Sequence, residues 1–523
     1  MKEYVLSNSE AKRVDDYTIN QLGISGRELM KTAGKFITIK SKIFLKHVPG
    51  SRIDVFCGTG NNGGDGFVAA AELQDMGAFV NVWIIGDEDK IFGDARYFLD
   101  KCKEEYVVIE TINNNKDFKK LDKLHETDLI IDALLGTGIK GEVKGLMKKA
   151  IELINNIEHP VKHPVLAIDI PSGINGDTGL ISGVAVKAMK TVTMGFLKRG
   201  LLYNDGPKHT GQIILADLKY PDESFTVLDS DTFYFHKYDL VRIFPDIRYD
   251  TYKHQMGKVL VVGGSKGMTG AAYMSSMAAQ RSGAGLVVCA IPESLNEIME
   301  TKLTEVMTLP LKESSEQTFC PDSLPGLQEK IDWADVIIFG PGLSDNSEAL
   351  TFGKKLIQQI DKPVVIDADG LKIFHDDLNL LKNNDNIILT PHVGEFAKLI
   401  QTNAETIRVD RIKYAKEFVK EYKCQLLLKG AHTISVNTNL DTAVNSTGNP
   451  GMATGGSGDI LTGIIAGFIA QGIEKFDAVN AAMALHGYAA DRARREVGIR
   501  GLIATDLLEF IPKVLKEFDN TGL

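Results

Sequence analysis

The apolar residues of this chain fall into short continuous runs, which alternate with segments where apolar positions recur at helical spacing. The short runs predict β-strands buried on both faces of a parallel sheet, and the segments between them predict helices. This alternation is typical of an α/β domain. In the first half of the chain the predicted strands are Ile53–Phe56, Val80–Ile85, Leu129–Ala133, Val165–Ile170, Thr191–Met194 and Ile213–Ala216.

The alternation breaks between Lys219 and Gln255, where aromatic and charged residues show no clear period, and it restarts after Gly257. We therefore predict a second α/β domain and place the boundary near residue 225, which gives domains 1–225 and 226–523. Helices are predicted over Ala271–Ser282 and Glu395–Leu399. The predicted strands of the second domain are Val259–Val262, Leu286–Ala290, Val336–Phe339, Val364–Ile366, Ile387–Leu389 and Gln425–Leu428.

Two local signals mark the ends of predicted helices. Ser7 and Glu10 have the spacing of a capping box, so a helix is predicted to begin near Ser7. The sequence Arg281-Ser282-Gly283 predicts a helix C-terminus with Gly283 at positive φ.

Composition narrows the class of protein. A chain of 523 residues is too long for one core, and 44% hydrophobic with 24% charged residues is ordinary for a globular protein. The formal charge of −10 argues against a nucleic-acid partner. The five cysteines lie far apart with no C-x-x-C pair, which favours a reducing cytoplasm. We expect no membrane segment, because the N-terminus has no apolar signal core and Ile460 to Ala470 is too short to span a bilayer.

The run Asn445 to Asp459, NSTGNPGMATGGSGD, leads into a predicted helix with apolar residues from Ile460 to Ile469. A glycine-rich loop that feeds a helix N-terminus is suited to binding a phosphate. The Asp459 carboxylate does not help phosphate binding, but it fits a base that removes a proton from a hydroxyl undergoing phosphorylation. The alternative is an ordinary helix start in which Asp459 complements the helix dipole.

Three strand ends of the first half carry polar, glycine-rich sequences. Ile53–Phe56 runs into CGTGNNGGDG, the next motif is DALLGTG from Asp132, and the third is DIPSG from Asp169. Ligands of open α/β sheets bind beyond the carboxyl ends of strands, so we expect the three ends to form one pocket. Taken singly, each aspartate could cap a loop and each glycine could serve a plain turn.

The set NNGGDG, DALLGTG and DIPSGINGDTG resembles the YjeF N-terminal domain, an NAD(P)HX epimerase module, over roughly residues 1–220. The resemblance implies a Rossmann-like three-layer α/β/α sheet. It also implies that Asp169 contacts the substrate near the reacting carbon and that Lys198 assists proton transfer, although Lys198 could instead be a solvated loop cation. Potassium would be held by Asn62, Asp132 and Ser172. Residues implied to bind the hydrated dinucleotide are Asn61, Asn62, Gly63, Gly64, Asp65, Gly136, Thr137, Gly138, Ile139, Lys140, Gly141, Glu142 and Asp169.

In the second half, GPGL, DADG, TPHVGE, KGAHT and NSTGNPGMATGGSGD occur in this order. They resemble the ribokinase-like superfamily and, more narrowly, the ADP- or ATP-dependent NAD(P)HX dehydratases. The resemblance implies a ribokinase-like α/β domain with Asp459 as the base. NAD(P)HX would contact Ala271, Ala272, Gly342, His392 and Asp459. The adenine nucleotide would contact Lys429, Gly430, Ala431, His432, Thr433 and Gly458.

Together these resemblances imply a bifunctional enzyme that repairs hydrated nicotinamide nucleotides. The first domain would interconvert the R and S epimers of NADHX and NADPHX. The second would dehydrate the S epimer with ADP or ATP and Mg²⁺, giving NAD(P)H, phosphate and, from ADP, AMP. We further expect a homo-oligomer in the cytoplasm. Which nucleotide and which NAD(P)HX are preferred stays open.

Two other functions stay open at this point. The first is a ribokinase-like kinase of a small hydroxylated metabolite with an accessory nucleotide-binding domain, since such a kinase uses the same GSGD loop. The second is a non-enzymatic first half that senses nucleotides or acts as a scaffold. The joint presence of Asn62, Asp65, Asp132 and Asp169 weighs against the second alternative.

Overall fold

The computed structural model describes residues 2–139, 141–157, 163–245, 247–382 and 384–518. The chain forms two compact units, Met1–Asp229 and Ser230–Leu523. Each unit contains a largely parallel sheet with helices, so the predicted class of two α/β domains is confirmed.

The strands of the first unit are short, as the apolar runs predicted. They are β1 (Glu3–Leu6), β2 (Arg52–Cys57), β3 (Phe79–Ile85), β4 (Val108–Ile112), β5 (Leu129–Ala133), β6 (Val165–Ile168), β7 (Lys190–Met194), β8 (Leu197–Lys198) and β9 (Gln212–Ala216). Its helices are α1 (Asn8–Asn20), α2 (Gly26–Ser41), α3 (Asn61–Asp75), α4 (Gly93–Glu104), α5 (Gly145–Asn155), α6 (Arg199–Leu202) and α7 (Gly206–His209).

The main sheet of the first unit has the order β4-β3-β2-β5-β6-β7-β9, and every neighbouring pair in it is parallel. The chain moves outward from β2 to β4 and then returns to the other side of β2, so the strand order reverses between β2 and β5. Val55 faces a core that includes α2, α3 and α4, whereas Phe56 faces a second core that includes α5. Helices therefore cover both faces, which gives the predicted three-layer Rossmann-like arrangement.

The N-terminal helix forms where its capping signal predicted. Ser7 is the N-cap of α1, its hydroxyl accepts from the Glu10 amide at 3.2 Å, and the Glu10 carboxylate accepts from the Ser7 amide at 2.8 Å. The preceding strand β1 pairs in parallel with β8, with Leu6 opposite Lys198.

The second unit repeats the α/β alternation with more elements. Its strands are β10 (Thr232–Phe235), β11 (Lys258–Val262), β12 (Leu286–Pro292), β13 (Met307–Leu311), β14 (Val336–Phe339), β15 (Val364–Ile366), β16 (Ile387–Leu389), β17 (Gln425–Leu428), β18 (Ile434–Val436) and β19 (Thr442–Asn445). Its helices are α8 (Thr269–Arg281), α9 (Asn296–Lys302), α10 (Leu324–Trp333), α11 (Ser347–Ile357), α12 (Val393–Leu399), α13 (Ala404–Val409), α14 (Arg411–Tyr422), α15 (Ser457–Ala470), α16 (Lys475–Val497) and α17 (Ala504–Leu515).

The sheet of the second unit has the order β13-β12-β11-β14-β15-β16-β17-β18-β19-β10. The strands from β13 to β17 in this order are parallel, while β18 is antiparallel to both β17 and β19. Here the strand order reverses between β11 and β14. Gly283 follows α8 with φ of +106°, as predicted for its helix C-terminus.

Helix α15 is buried along nearly its whole length and packs closely on α8. A Cβ at Gly463 would lie 2.3 Å from the Ser275 carbonyl oxygen, and one at Gly467 would lie 2.1 Å from Ser282 Oγ. Glycine at these positions lets the two helix backbones approach each other. The apolar character of α15 is thus explained by burial. Among the described residues, no helix is both long and apolar enough to cross a bilayer.

The apolar pattern missed several strands. β4 and β13 lie at sheet edges and are partly exposed, so they have no continuous apolar run. β10 lies in the stretch where no period was found, and β1, β8, β18 and β19 contain polar or charged residues that interrupt an apolar run. The predicted strand Val165–Ile170 was two residues too long, because Asp169 adopts φ of +65° and ends the strand at Ile168.

Candidate active sites

In the first unit, the glycine-rich motif after β2 forms the beginning of α3. The helix starts at Asn61, so Asn61 to Asp65 lie in its first helical turns and not in the loop between β2 and α3. The N-cap is Gly60, which provides no side-chain cap. Backbone N–H groups at this helix start are therefore left for an anion.

Glycines bring the ends of β2 and β5 into contact at the point where the strand order reverses. A Cβ at Gly58 would lie 1.9 Å from the Leu134 carbonyl oxygen, and one at Gly63 would lie 2.2 Å from the Gly58 carbonyl oxygen. A Cβ at Gly64 would likewise lie 2.6 Å from Met30 Sδ. Side chains at these positions would push the loops apart, so the glycines shape the crevice where ligands bind in such sheets.

Asp132 and Ser172 join the ends of β5 and β6 beside this crevice. The Ser172 hydroxyl donates to Asp132 Oδ1 at 2.6 Å, and the Ser172 amide donates to Asp132 Oδ2 at 2.8 Å. Both residues are fully buried. Burial raises the pKa of Asp132 to about 6, with the Ser172 and Leu134 hydrogen bonds opposing the rise.

Asn62 carries buried polar atoms that lack a partner. Among the described residues, neither its side-chain oxygen nor its side-chain nitrogen has a hydrogen-bond partner. A Cβ at Gly136 would lie 3.4 Å from Asn62 Cβ, so the loop after β5 packs against this side chain. An unpaired buried amide is costly, and a hydrogen-bond donor or a cation bound to its oxygen would reduce that cost.

Asp169 and Lys198 form a buried ion pair at the ends of β6 and β8. Lys198 Nζ also donates to the Met194 carbonyl at 2.9 Å and to Thr193 Oγ1 at 3.2 Å, and it lies 4.8 Å from the centre of the Phe196 ring. Lys198 is only 3% exposed, so the alternative of a solvated loop cation is wrong.

Asp65, in the first turns of α3, belongs to the same charge cluster. Burial raises the pKa of Asp65 well above its usual range, the negative charge of Asp169 adds to the rise, and Lys198 opposes it. A carboxyl group that favours its protonated form, beside the Asp169–Lys198 ion pair, gives the site groups that can donate and accept a proton.

The remaining predicted residues of this site lie in the loop between β5 and α5. Gly136, Thr137, Gly138, Ile139, Gly141 and Glu142 are described there, whereas Lys140 lies outside the described residues. Glu142 is exposed and pairs with Lys144 at 3.1 Å. The Thr137 carbonyl accepts a hydrogen bond from the Asn8 side chain at 3.1 Å, which ties this loop to α1.

In the second unit, the GSGD motif forms the first turn of α15. The helix starts at Ser457, three residues before the predicted start at Ile460, so Gly458 and Asp459 lie inside it. Its N-cap is Gly456, which has φ of +90° and provides no side-chain cap. Both candidate sites therefore have a helix start capped by glycine.

Asp459 is partly buried at the third position of α15. Burial raises the pKa of Asp459 to about 7, and the neighbouring carboxylates, chiefly Asp367, add to the rise while Lys429 opposes it. A residue that only complements the helix dipole would favour its ionised form. A carboxyl group with a pKa near 7 is instead suited to act as a general base at neutral pH.

The sequence did not identify Asp367 as a site residue, but the structure places it at the centre of this site. Its carboxylate accepts from Lys429 Nζ at 2.6 Å and from Thr462 Oγ1 at 2.9 Å, and it is 1% exposed. Burial alone would raise the pKa of Asp367, but the Lys429 charge and these hydrogen bonds hold it below the usual value. A Cβ at Gly458 would lie 3.1 Å from Lys429 Nζ, so glycine allows the ammonium group to reach the helix start.

The predicted nucleotide residues Lys429, Gly430, Ala431, His432 and Thr433 form the turn of the β17–β18 hairpin. His432 has φ of +49° and its Nδ1 lies 2.9 Å from the Asn445 carbonyl oxygen. Thr433 Oγ1 donates to the Gly430 carbonyl at 2.9 Å. Gly430 and Ala431 are exposed at the end of the hairpin. These hydrogen bonds hold the turn in place, and its exposed backbone at Gly430 and Ala431 is accessible to a ligand.

The predicted substrate residues of the second unit lie on three different elements. His392 is the N-cap of α12, and its Nδ1 accepts from the Gly394 and Glu395 amides at 2.9 and 3.1 Å. The ring is largely exposed, and its Nε2 lies 3.5 Å from Glu395 Oε1. Ala271 lies in α8, where a Cβ at Gly342 would be 3.1 Å from Ala271 Cβ. Ala272 is fully buried against Gly264, so it supports the loop from within the core.

The two units share the features of nucleotide-binding α/β enzymes, because each has a glycine-capped helix start beside a buried carboxylate–lysine pair. Residues 26–200 match the family YjeF_N, described as YjeF-related protein N-terminus, and residues 259–513 match the family Carb_kinase, described as NAD(P)H-hydrate dehydratase.

Similar proteins cover the whole chain. The bifunctional NAD(P)H-hydrate repair enzyme Nnr of Moorella thermoacetica is 36% identical over 524 residues, which cover 99% of this chain and 97% of that protein. The enzyme of the same name from Salinibacter ruber is 34% identical, over 98% of this chain and 96% of that protein. The structure of an ADP/ATP-dependent NAD(P)H-hydrate dehydratase from Bacillus subtilis, co-crystallised with ATP and Mg²⁺, is 27% identical with a TM-score of 0.47, and covers 55% of this chain and 98% of that chain.

The chain belongs to the family of bifunctional NAD(P)H-hydrate repair enzymes. The family predicted from the sequence motifs is confirmed.

Replacing Asp459 with Asn is expected to stabilise the second unit at high pH. The raised pKa of Asp459, about 7, means that the folded state resists ionisation. This carboxyl group therefore destabilises the fold increasingly as the pH rises from about 4 to about 7, and the effect is then constant. Asp459→Asn should raise the free energy of unfolding on the order of 2 kcal/mol at pH 8 and by less at pH 5.5. Denaturant titrations at both pH values measure this.

The exposed Asp345, which pairs with Lys372 at 3.4 Å, provides the matched control. Asp345→Asn should change the free energy of unfolding little at either pH. Equal responses of the two variants would contradict the raised pKa of Asp459.

Proposed function

We propose that this protein restores NAD(P)H from its hydrated forms in two steps, one in each unit. The main support is the position of Asp459 at a helix start capped by glycine, where the pKa of its carboxyl group is raised to about 7. Its relatives named bifunctional NAD(P)H-hydrate repair enzymes support the assignment over the full chain. The two domains would be 1–225 for epimerisation and 226–523 for dehydration.

In the dehydration step, Asp459 removes the proton from the hydroxyl of the S epimer. The resulting alkoxide oxygen bonds to the terminal phosphorus of ADP or ATP, and the bond from that phosphorus to the bridging oxygen breaks. The N–H groups at the start of α15 and the Lys429 ammonium group stabilise the negative charge on the transferred group. Phosphate then leaves with the carbon–oxygen electron pair as the ring nitrogen donates its lone pair, and loss of a proton from the adjacent carbon restores the double bond.

Residues around Asp459 would position the two substrates for this transfer. The hairpin turn Lys429 to Thr433 and Gly458 would bind the adenine nucleotide, while Ala271, Ala272, Gly342 and His392 would bind NAD(P)HX. Asp367 holds Lys429 at the helix start through their ion pair. Because Asp367 and Asp459 are both negative, the site favours transfer of the substrate proton to Asp459.

In the epimerisation step, the first unit inverts the carbon that bears the hydroxyl. The hydroxyl leaves as water when the ring nitrogen donates its lone pair, and water returns to the other face of the ring. Asp169 and Lys198, which are hydrogen-bonded to each other, provide an acceptor and a donor for the protons involved. Residues Asn61 to Asp65 and 136–142 would hold the dinucleotide phosphates beside this pair.

Two cations fit the residues present. Asn62, Asp132 and Ser172 would hold K⁺, which is supported by the unpaired Asn62 amide and by oxygen atoms on two adjacent strand ends. Potassium would order the loops around the dinucleotide. Mg²⁺ would enter with the nucleotide and neutralise phosphate charge.

A homo-oligomer in the cytoplasm remains our prediction for the assembly and location. The cytoplasmic prediction is supported by Cys57, Cys102, Cys289, Cys320 and Cys424, which are all buried with free thiols.

Asp459→Asn is expected to reduce nucleotide-dependent dehydration by at least about a thousandfold, because the hydroxyl then lacks its base. Epimer exchange by the same chain should be unchanged. The rate of NADH recovery from S-NADHX with ADP or ATP, followed by absorbance, measures the first activity. Asp345→Asn is the control and should retain both activities. A full dehydration rate in Asp459→Asn would refute the assignment of the base.

Asp169→Ala is expected to stop exchange of the R and S epimers while dehydration of S-NADHX continues, because Asp169 and the base Asp459 serve separate steps. Chromatographic separation of the epimers over time measures the exchange. Asp217→Ala, which removes a surface carboxylate paired with Lys219 at 2.5 Å, is the control. Equal loss of both activities in Asp169→Ala would show that the two steps are not separable.

Potassium is expected to raise the thermal stability of the first unit and to accelerate epimer exchange. Asn62→Ala should abolish both responses, because it removes a cation ligand, whereas dehydration should not depend on this residue. Thermal unfolding with KCl and with an equal concentration of tetramethylammonium chloride, a cation too large for the site, measures the effect. If the two salts stabilise the wild-type protein equally, the potassium site is wrong.

A further inference from the structure

The N-terminal segment Glu3–Asn20, which comprises β1 and α1, contacts several parts of the first site. It precedes the family match, which begins at residue 26. Strand β1 pairs in parallel with β8, so Leu6 lies opposite Lys198, the lysine of the buried ion pair. Glu10 of α1 forms an ion pair with Arg199, the residue after that lysine, at 2.6 Å.

Asn8, the first residue of α1, joins two loops that flank the crevice. Its side-chain amide donates to the Thr137 carbonyl at 3.1 Å, and its backbone amide donates to Asp177 Oδ1 at 2.6 Å. The Asn8 side chain packs directly against the backbone of Gly176, since a Cβ at Gly176 would lie 2.2 Å from Asn8 Oδ1. The loop containing Thr137 is the one proposed to bind the dinucleotide, so Asn8 fixes the position of that loop.

Asp15 lies two turns further along α1 and is partly buried. The Tyr220 hydroxyl donates to Asp15 Oδ1 at 2.6 Å. The Tyr220 ring is held in place by Gly195, where a Cβ would lie 2.4 Å from Tyr220 Cε2. Asp15 interacts electrostatically with Lys198 and Asp169, and it adds to the charge around Asp65.

We propose that Asn8 and Asp15 are positioning residues of the epimerisation step, Asn8 for the dinucleotide loop and Asp15, held by Tyr220, for the charge around the Asp169–Lys198 pair. This inference rests on the proposed function of the first unit. The charged or titratable groups that face Asp15 are Tyr220, Lys198, Asp169 and Asp65, together with its neighbour Asp16 on α1. Asp15 is thus a third carboxylate, after Asp169 and Asp65, that interacts electrostatically with the buried Lys198.

Asp15→Asn in the full-length chain tests the electrostatic role. Removal of this negative charge favours ionisation of the remaining carboxyl groups, so the pH profile of kcat/KM for epimer exchange should move to lower pH by about half a unit. Asp16→Asn is the matched control, because it removes the same charge from the adjacent exposed position and should leave the profile in place. Dehydration of S-NADHX by the second unit measures the amount of functional chain in each sample.

Asn8→Ala tests the role in loop positioning. Loss of its hydrogen bond to the Thr137 carbonyl should raise KM for epimer exchange about five- to tenfold with a smaller change in kcat. Asn20→Ala, at the exposed C-terminal end of the same helix, is the matched control and should have no effect.

If Asp15→Asn unfolds the first unit, Tyr220→Phe replaces it, since this variant removes the hydrogen bond to Asp15 and keeps the packed ring. It should move the profile in the same direction by a smaller amount. Profiles of Asp15→Asn and Tyr220→Phe that coincide with that of Asp16→Asn, together with equal KM values for Asn8→Ala and Asn20→Ala, would overturn the inference. Absence of epimer exchange in the wild-type chain would instead refute the proposed function.

Discussion

Both sites depend on backbone segments that approach each other more closely than any side chain would allow. In the first unit, Gly58 lies against the Leu134 carbonyl between β2 and β5. In the second unit, a Cβ at Gly263 would lie 2.4 Å from the Pro341 carbonyl oxygen between β11 and β14. Each contact occurs where the strand order reverses, the position at which open α/β sheets form a crevice for ligands. The same steric constraint therefore shapes two sites that carry out different chemistry.

Each crevice also contains a lysine that is buried or mostly buried and is paired with an aspartate. Lys198 pairs with Asp169 in the first unit, and Lys429 pairs with Asp367 in the second. A buried charge is tolerated only when it is paired and hydrogen-bonded, so these pairs fix the side chains in place before a substrate binds. A further carboxyl group beside each pair, Asp65 or Asp459, has its pKa raised by burial and by the neighbouring aspartate. The paired lysine thus stabilises negative charge, and in the second unit the extra carboxyl group, Asp459, has a pKa of about 7 and can exchange a proton near neutral pH.

The central strands were predictable because they are buried on both faces. β5, β14, β15, β16 and β17 have the bounds that the apolar runs gave. Edge strands such as β4 and β13 are only partly buried along most of their length, so they lack a continuous apolar run. Helix starts were less accurate for a related reason. The residues of NNGGDG and GSGD read as loop because they are glycine-rich, yet they occupy the first helical turns, where the unpaired N–H groups serve ligands and not the helix itself.

The sequence by itself determined the order of the motifs, the two α/β domains and the family. Glycines are required where two backbone segments meet, and a carboxylate is required at the helix start, so these residues recur in the sequence at fixed spacings. Only the tertiary structure decided which charges meet. Asp367 and Lys429 are separated by 62 positions and Asp15 and Tyr220 by 205, and nothing in their neighbouring residues indicates the pairing. A pair of this kind arises from strand order and helix packing, which depend on the burial of apolar surface across the whole unit.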